Sequence, residues 1–227
     1  MSPFSQLYQN DCGSYAIIRY VKTAIYLLIK RIFDILVGLI GCVLLIPVAM
    51  VVKIAYLLTG DFHPIMYSQN RVGKNGKIFK MYKFRSMSYT ADEDLKKLLK
   101  QAKYKKQWQK YQKLDPDPRV TKVGKIIRQI SVDEFPQFMH LATGTISLIG
   151  PRPLLPGEIE DHHGNAKLYQ SVKPGLTGWW AANGRSETTY KERLELEYYY
   201  IKNRSILLDL KVIFLTFLAV VKKDGAK

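Results

Sequence analysis

The sequence is short of cysteine and of acidic residues, and both shortages exclude classes of protein. Its two cysteines, Cys12 and Cys42, exclude a disulfide scaffold and a cysteine-based zinc module in a chain of 227 residues. Only 19 Asp and Glu stand against 35 Lys and Arg, so the formal net charge is +16. Such a surplus indicates an anionic partner, which is nucleic acid, an acidic membrane surface or a phosphate-bearing substrate.

Several common functional motifs are also missing from the sequence. It contains no phosphate-binding Walker A loop, no GxGxxG turn and no GxSxG elbow. It has neither a zinc-finger pattern nor an aromatic RNA-recognition motif, so nucleic acid is not expected as a partner. What the chain does have is 47% hydrophobic and 12% aromatic residues, which excludes a disordered chain and is enough for a core.

The positive charge is concentrated in the middle of the chain. The segment from Arg71 to Arg128 holds 18 of the 35 basic residues but five of the 19 acidic ones. Within it, the lysine-rich run Lys96–Lys113 is expected to face anionic lipid headgroups, which attract each basic residue by about 1 kcal/mol near a membrane surface.

The longest apolar run is Ile32–Leu58, whose uncharged part, Ile35–Val52, has 18 residues. That length is the lower limit for a membrane-spanning helix. Pro47 removes a backbone hydrogen bond and predicts a kink, and basic residues flank both ends of the run. A spanning helix would place one basic flank on the wrong side of the membrane. We therefore expect a re-entrant helix that bends at Pro47 and returns to the same face, with a simple span as the alternative.

These patterns predict a mostly helical α+β fold in three parts. Residues 1–29 form a basic interfacial segment, residues 30–58 the re-entrant helix and residues 59–227 a compact domain. In that domain, strands at Ile65–Gln69 and Ile78–Phe84 are expected to form a small hairpin around a tight turn. Helices are predicted at Asp92–Leu114, Thr121–Arg128, Phe135–Thr143, Tyr190–Asn203 and, as an amphipathic interfacial helix, Ser205–Val221.

Two adjacent carboxylates, Asp133 and Glu134, are the first candidates for chemistry. Pro136 places a helix start beside them, because proline is tolerated in a helix only in the first turn. One interpretation is structural, in which the acids offset the helix dipole and Ser131 forms a capping box with Glu134. The other is catalytic: neighbouring side chains on a helix point about 100° apart, so one carboxylate can be a nucleophile while the other binds a metal ion at the same phosphate.

Five basic residues are candidates for binding phosphate. Lys83 and Arg85 alternate on one face of the second predicted strand, where a solvated basic face is the alternative interpretation. Arg152 is fixed between two prolines, and its planar guanidinium suits a phosphate group. Arg128 and Arg185 are candidates on the same grounds.

A series of short strings of residues lies in a fixed order along nearly the whole chain, from about Lys30 to Leu218. They include Lys30-Arg31-Ile32-Phe33-Asp34, Lys83-Phe84-Arg85-Ser86-Met87, Ser131-Val132-Asp133-Glu134-Phe135-Pro136-Gln137, Ser147-Leu148-Ile149-Gly150-Pro151-Arg152-Pro153 and Val172-Lys173-Pro174-Gly175-Leu176-Thr177-Gly178-Trp179. In this order the strings resemble the bacterial sugar transferases, monotopic phosphoglycosyl transferases that prime polysaccharide synthesis.

The resemblance implies a two-step reaction. Asp133 would attack the sugar-linked phosphorus of a UDP-sugar, expel UMP and hold the phosphosugar covalently, and undecaprenyl phosphate would then accept it. Glu134 would hold Mg²⁺ against the diphosphate. The resemblance also implies that residues 59–227 are a catalytic domain on the cytoplasmic face of the bacterial inner membrane, in the family's minimal form.

The expected partners are therefore a UDP-sugar, undecaprenyl phosphate and anionic lipids, with a downstream glycosyltransferase or a homodimer left open. The sugar is also left open between glucose, galactose and an N-acetylated sugar. A hypothesis from another class is a non-catalytic basic scaffold that binds anionic lipid or a partner glycosyltransferase at the membrane surface. That hypothesis explains the lysine-rich run but gives no reason for Asp133 and Glu134 beside the Pro-Arg-Pro loop.

Overall fold

A long helix, α1 (Pro3–Leu58), carries the apolar run of the sequence. The computed structural model describes residues 3–111, 114–184 and 188–222. These residues form a mostly helical α+β fold, as predicted. After α1 come β1 (Met66–Val72), a 3₁₀ helix (Lys74–Gly76), β2 (Ile78–Phe84), α2 (Ala91–Leu98), α3 (Ala102–Tyr111), α4 (Lys122–Gln129), a second 3₁₀ helix (Val132–Gln137), α5 (Phe138–Thr143), β3 (Ser147–Ile149), α6 (Glu158–Asp161), α7 (Ala166–Tyr169), β4 (Gly175–Thr177), α8 (Trp179–Asn183), α9 (Tyr190–Asn203) and α10 (Ile206–Lys222).

The apolar part of α1 is mostly exposed. The stretch Tyr20–Leu58 is long and apolar enough to cross a membrane by length and composition, and its most apolar 18-residue window is only 17% buried. The helix continues through Pro47, and it also crosses the predicted boundary at residue 30. At 1.5 Å per residue such a stretch is about 58 Å long, which is well over the ~30 Å of a bilayer core.

One face of α1 packs closely against α5 because two glycines let the helices approach. A β-carbon added to Gly38 would lie 2.5 Å from the backbone nitrogen of Ala142, and one added to Gly41 would lie 2.1 Å from Cγ of Phe138. On the same face Arg31 donates two hydrogen bonds of 2.8 Å to carbonyl oxygens at the C-terminal end of α5. These bonds satisfy carbonyls that the short helix leaves without partners.

Two further polar contacts join α1 to the rest of the chain. The carboxylate of Asp34 accepts hydrogen bonds from the hydroxyl of Ser147 (3.1 Å) and from the amide of Leu148 (2.8 Å), at the start of β3. Lys30 forms an ion pair of 2.7 Å with Asp209 of α10. Asp209 also accepts a hydrogen bond of 2.7 Å from Tyr200, so α1, α9 and α10 meet at one buried carboxylate.

The predicted hairpin is confirmed. Strands β1 and β2 are antiparallel, with Met66 opposite Phe84 and Val72 opposite Ile78. The observed β1 extends to Val72, three residues beyond the predicted end. The connection contains Asn75, whose φ of 58° is left-handed and suits an asparagine in a tight turn.

Two predictions for the helices need correction. The single helix predicted at Asp92–Leu114 is divided into α2 and α3 at residues 99–101. Residues 112 and 113 lie outside the described residues, so the end of that prediction is not described. The helix predicted at Phe135–Thr143 is a 3₁₀ helix followed by α5. The helix α9 has the predicted bounds, and its Thr189 and Glu192 form a capping box.

A short parallel pair, β3 and β4, was not predicted from the sequence. Ser147 pairs with Gly175 and Ile149 with Thr177, which brings the Pro-Arg-Pro loop that follows β3 next to α8. This pair belongs to a core of buried residues from α6, α7, α9 and α10. A second core is formed where the end of α1 packs on β2 and α4, through residues such as Tyr56 and Phe84. The candidate site draws on elements of both.

Candidate active site

A cavity of about 710 Å³ lies where the Val132–Gln137 helix faces the β3–β4 pair. Its volume is within the usual range for a small-molecule site. The residues that line it are Arg71, Met81, Lys83, Arg128, Ser131, Asp133, Glu134, Gln137, Leu148, Gly150, Arg152, Pro153, Gly175, Leu176, Thr177, Gly178, Trp180, Ala181, Glu197 and Thr216. The structure therefore brings together five of the predicted site residues and their neighbours from β4, α8, α9 and α10.

The two adjacent carboxylates lie in the first turn of the 3₁₀ helix. Ser131, which precedes it, has a left-handed φ of 55°, and its side chain makes no capping hydrogen bond. The predicted capping box between Ser131 and Glu134 is therefore wrong, because the chain enters a 3₁₀ helix from a left-handed residue. Backbone strain of this kind is common at functional sites.

Lys83 connects the two carboxylates. Its Nζ lies 2.8 Å from Oε1 of Glu134 and 4.0 Å from Oδ2 of Asp133. Burial raises the pKa of the Asp133 carboxyl above its ordinary value, the positive charge of Lys83 opposes that rise, and the negative charge of Glu134 adds to it. The lysine thus favours the ionised, nucleophilic form of a carboxyl that burial alone would protonate more readily.

Three arginines line the cavity beside this group. Arg128 and Arg152 were predicted, and the Nε of Arg128 donates a hydrogen bond of 2.8 Å to the hydroxyl of Ser86. Arg71 was not predicted as a site residue. Its guanidinium is bonded to the carbonyl of Pro153 at 3.1 Å, and its buried Nε has no hydrogen-bond partner among the described residues. The cavity wall is consequently cationic where it is formed by β1, α4 and the loop that follows β3.

The loop that holds Arg152 is fixed from two sides. The amide of Arg152 donates a hydrogen bond of 2.9 Å to Oε1 of Glu197, and its carbonyl accepts one of 2.9 Å from the hydroxyl of Tyr169. The guanidinium lies 5.7 Å from the centre of the Trp180 ring, at cation–π distance. With neighbouring prolines on each side, the loop is rigid, as the sequence predicted.

Two predicted phosphate-binding residues are not brought to this group. Arg85 is 6% exposed, and its guanidinium is bonded to Asp61 (2.9 Å) and to the carbonyls of Pro64 (2.9 Å) and Met87 (3.0 Å). These partners favour a structural role for Arg85 over the predicted role as a substrate ligand, because the strand ends at Phe84 and the next side chain turns inward. Arg185 lies outside the described residues.

Sequence reasoning missed Arg71, Trp180 and Glu197. Each lies in a segment distant in sequence from Asp133, and nothing in the local pattern distinguishes Arg71 or Glu197 from a surface residue. Arg71 stands in a turn-rich basic segment, and Glu197 is one acid in a charged helix. A usable signal was present for Trp180, because it follows a glycine-rich string that already resembled the family.

The carboxylates fit a magnesium ion that is shared with a substrate. Within residues 3–111, 114–184 and 188–222, no three His, Cys, Asp or Glu side chains form a cluster that could hold a metal ion unaided. Mg²⁺, however, is usually bound by one or two carboxylates together with substrate phosphates and water. Asp133 and Glu134 supply such oxygen donors at the cationic wall.

The structure is that of an α+β protein with a cavity lined by several cationic side chains and with an exposed apolar helix. The profile of the bacterial sugar transferases matches residues 25–223. The chain belongs to the bacterial sugar transferase family.

Relatives of known name support this assignment. Exopolysaccharide production protein ExoY of Sinorhizobium fredii is 37% identical over 87% of this chain and 87% of its own length. Undecaprenyl-phosphate galactose phosphotransferase of Salmonella typhimurium is 38% identical over 87% of this chain and 41% of its own length. Galactosyl transferase CpsE of Streptococcus agalactiae is 41% identical over 89% of this chain and 44% of its own length. The chain thus spans less than half of the last two relatives.

Proposed function

We propose that the protein transfers a sugar 1-phosphate from a UDP-sugar to undecaprenyl phosphate and releases UMP. The observation that carries this proposal is the partly buried Asp133 beside Glu134, with Lys83 between them, in a cavity whose wall holds three arginines. A non-catalytic scaffold would need neither a desolvated carboxylate nor cations that converge on it. The Salmonella relative is named for the same type of reaction.

In the first step, an ionised oxygen of Asp133 attacks the phosphorus that carries the sugar. The bond from this phosphorus to the bridging oxygen breaks, and UMP leaves with the electron pair. The product is a mixed anhydride of the aspartate and the sugar phosphate, which remains reactive, as aspartyl phosphates are. In the second step an oxygen of undecaprenyl phosphate attacks the same phosphorus, and the carboxylate of Asp133 leaves.

The basic residues neutralise charge in both steps. Phosphoryl transfer depends mainly on positioning and on charge stabilisation. We assign the diphosphate to Arg128, Arg152 and Lys83, because they were predicted from the sequence and line one cavity, and we add Arg71. Glu134, beside Asp133, would hold Mg²⁺, and when bound this ion supplies further positive charge to the diphosphate.

We infer that α1 enters the membrane from one side and returns to it. Residues on both sides of the uncharged stretch Ile35–Val52 contact the same domain: Lys30 pairs with Asp209, and the hydroxyl of Tyr56 donates to the carbonyl of Arg85. A spanning helix would separate these contacts by about 30 Å of hydrocarbon. The charge surplus supports attraction to anionic lipids, and the direction proposed for the domain is the cytoplasmic face of the bacterial inner membrane.

The position of α10 supports a lipid acceptor. Thr216 of this helix lines the cavity and lies 3.0 Å, oxygen to oxygen, from the hydroxyl of Thr177. The same helix exposes Leu207, Phe214 and Phe217, which suits an interface with lipid. An acceptor held in the membrane would then reach the cavity along α10.

The first test is a UMP-release assay with undecaprenyl phosphate and a panel of UDP-sugars. We put UDP-galactose first, since two of the relatives are named for galactose. UMP release that requires the lipid phosphate for turnover supports the proposal. The absence of UMP release with every donor would favour the scaffold hypothesis.

The variant Asp133→Asn tests the nucleophile directly. We expect UMP release to fall by about a thousandfold or more and labelling of the protein by radioactive donor sugar to disappear, because an amide is a poor nucleophile. The matched control is Asp92→Asn, at an exposed acid in the first turn of α2, which should retain full activity. Normal labelling of the Asp133→Asn variant would contradict the covalent mechanism.

A further inference from the structure

Glu197 of α9 is a buried carboxylate with one oxygen in use and one free. Its residue surface is 1% exposed. Oε1 accepts the hydrogen bond from the amide of Arg152, while the buried Oε2 has no hydrogen-bond partner among the described residues. Oε2 lies 3.8 Å from the position of a β-carbon on Gly178, and both residues line the cavity. The free oxygen therefore lies directly behind the cavity wall.

The surroundings of this carboxylate show what it can bind. Arg152 and Arg193 are the charged groups that face it, and burial nevertheless raises the pKa of Glu197 to about 7. In its ionised form, which Arg152 and Arg193 favour, the carboxylate repels phosphate and is unsuited to bind the diphosphate that the arginines attract. Its natural partner in this cavity is a group that donates a hydrogen bond, and a nucleotide sugar carries such donors as hydroxyl groups.

We propose that Glu197 is a specificity-determining residue whose free Oε2 accepts a hydrogen bond from a hydroxyl group of the UDP-sugar. The inference rests on the proposed function, and it adds a residue that distinguishes UDP-sugars by one of their hydroxyl groups. Leaving a buried acceptor without a partner is costly, so a donor that lacks the hydroxyl should be rejected. The hydroxyl belongs either to the hexose or to the ribose, and the experiment distinguishes the two.

A purely structural role must be separated from this one, because Oε1 also holds the Arg152 loop. The variant Glu197→Gln makes the separation. The amide oxygen of glutamine can accept from the Arg152 amide as Oε1 does, while the NH₂ group replaces the acceptor Oε2. The loop contact is thus kept and only the proposed substrate contact is lost.

The control variant is Glu158→Gln. Glu158 pairs with Arg193 at 3.3 Å, outside the cavity lining. Its substitution removes a carboxylate from the same arginine that faces Glu197, and so tests whether a changed charge on Arg193 is enough to alter donor selection.

The experiment measures kcat/KM for UMP release with the best UDP-sugar and with its single-deoxy analogues, including the 2′-deoxyribose form. We expect the wild type to lose about ten- to a hundredfold with one analogue, and Glu197→Gln to accept that analogue as well as the parent sugar. The control should discriminate as the wild type does. Loss of discrimination at a hexose position assigns the contact to the sugar, and loss at the ribose assigns it to the nucleoside.

The proposal is overturned if Glu197→Gln discriminates among all analogues as the wild type does. Thermal unfolding in detergent shows whether the variant folds, and Glu197→Asp is the second variant if it does not. Aspartate keeps the charge but is one methylene shorter, so it cannot reach both the Arg152 amide and the hydroxyl, and it should lose the same discrimination. A wild type without UMP release would instead refute the proposed function, which keeps the two failures apart.

Discussion

At the scale of single residues, Lys83 decides the charge of the site. Its ammonium group is within 2.8 Å of Glu134 and 4.0 Å of Asp133, and its side chain is 30% exposed. Two carboxylates on neighbouring residues repel each other, and a cation between them lowers that repulsion without the cost of full burial. The same cation is in position to attract an incoming diphosphate.

Replacing Lys83 by methionine should reduce catalysis far more than stability. We expect kcat for UMP release to fall about a hundred- to a thousandfold, because one stabilising charge is lost at the reacting phosphate. Thermal unfolding should change little, since the pair is partly exposed. The comparison is Lys80→Met, at an exposed lysine of the same strand. An equal loss in both variants would mean that general positive charge, rather than Lys83, matters.

Arg85 should behave in the opposite way. Its guanidinium forms an ion pair with Asp61 and lies 4.4 Å from the centre of the Tyr56 ring. Arg85→Met removes one partner of a buried pair, which costs about 3 kcal/mol of unfolding free energy. We expect a clearly lower Tm with kcat/KM per folded molecule within about twofold of the wild type. A large fall in kcat/KM with an unchanged Tm would restore Arg85 as a substrate ligand.

At the scale of elements, the contact between α1 and α5 links the apolar helix to the turn that carries Asp133. The helix α5 follows Val132–Gln137 without a loop, so its position fixes that of Asp133. Gly38 permits the close approach of the two helices, and Arg31 donates hydrogen bonds to carbonyls at the C-terminal end of α5. The packing of the apolar helix on α5 therefore helps to fix the position of Asp133.

Gly38→Val should disturb this support. The added β-carbon would lie 2.5 Å from a backbone nitrogen of α5, which cannot move as a side chain can. Overpacking of this kind costs about 1–3 kcal/mol, so we expect a lower Tm in detergent and reduced UMP release. Val43→Leu, which adds one carbon at an exposed position of the same helix, is the control. If both variants have the same Tm as the wild type, the close packing of α1 on α5 is contradicted.

Local patterns predicted some elements well and others not at all. The bounds of α9 and β2 follow from a capping box and from strand residues next to a turn, which act within a few positions. The pair β3–β4 has three residues in each strand and joins segments that are far apart in the sequence, so no local periodicity predicts it. Asp133 and Arg152 lie beside prolines, which restrict the local backbone, and the structure places both in the cavity lining. The inward turn of Arg85 and the burial of Glu197 arise only from packing between distant elements.

At the scale of the whole molecule, topology gives the sharpest test. In a background with Cys12→Ser and Cys42→Ser, the single substitutions Lys22→Cys and Lys100→Cys place a thiol before or after the apolar run, both at exposed positions. We expect a membrane-impermeant maleimide to label both from the cytoplasmic side and neither from outside. Labelling from opposite sides would establish a spanning helix and contradict the re-entrant topology.

The contacts of α1 also have a consequence for protein production. A fragment that begins at residue 59 would lack Tyr56 from one core and the partners of Asp209 and Ser147, which are Lys30 and Asp34. Trimming away the membrane segment to obtain a soluble enzyme would therefore expose apolar surface and leave buried polar groups unpaired. Extraction with an intact N-terminal helix, in detergent or in lipid discs, is the route by which the catalytic part stays folded.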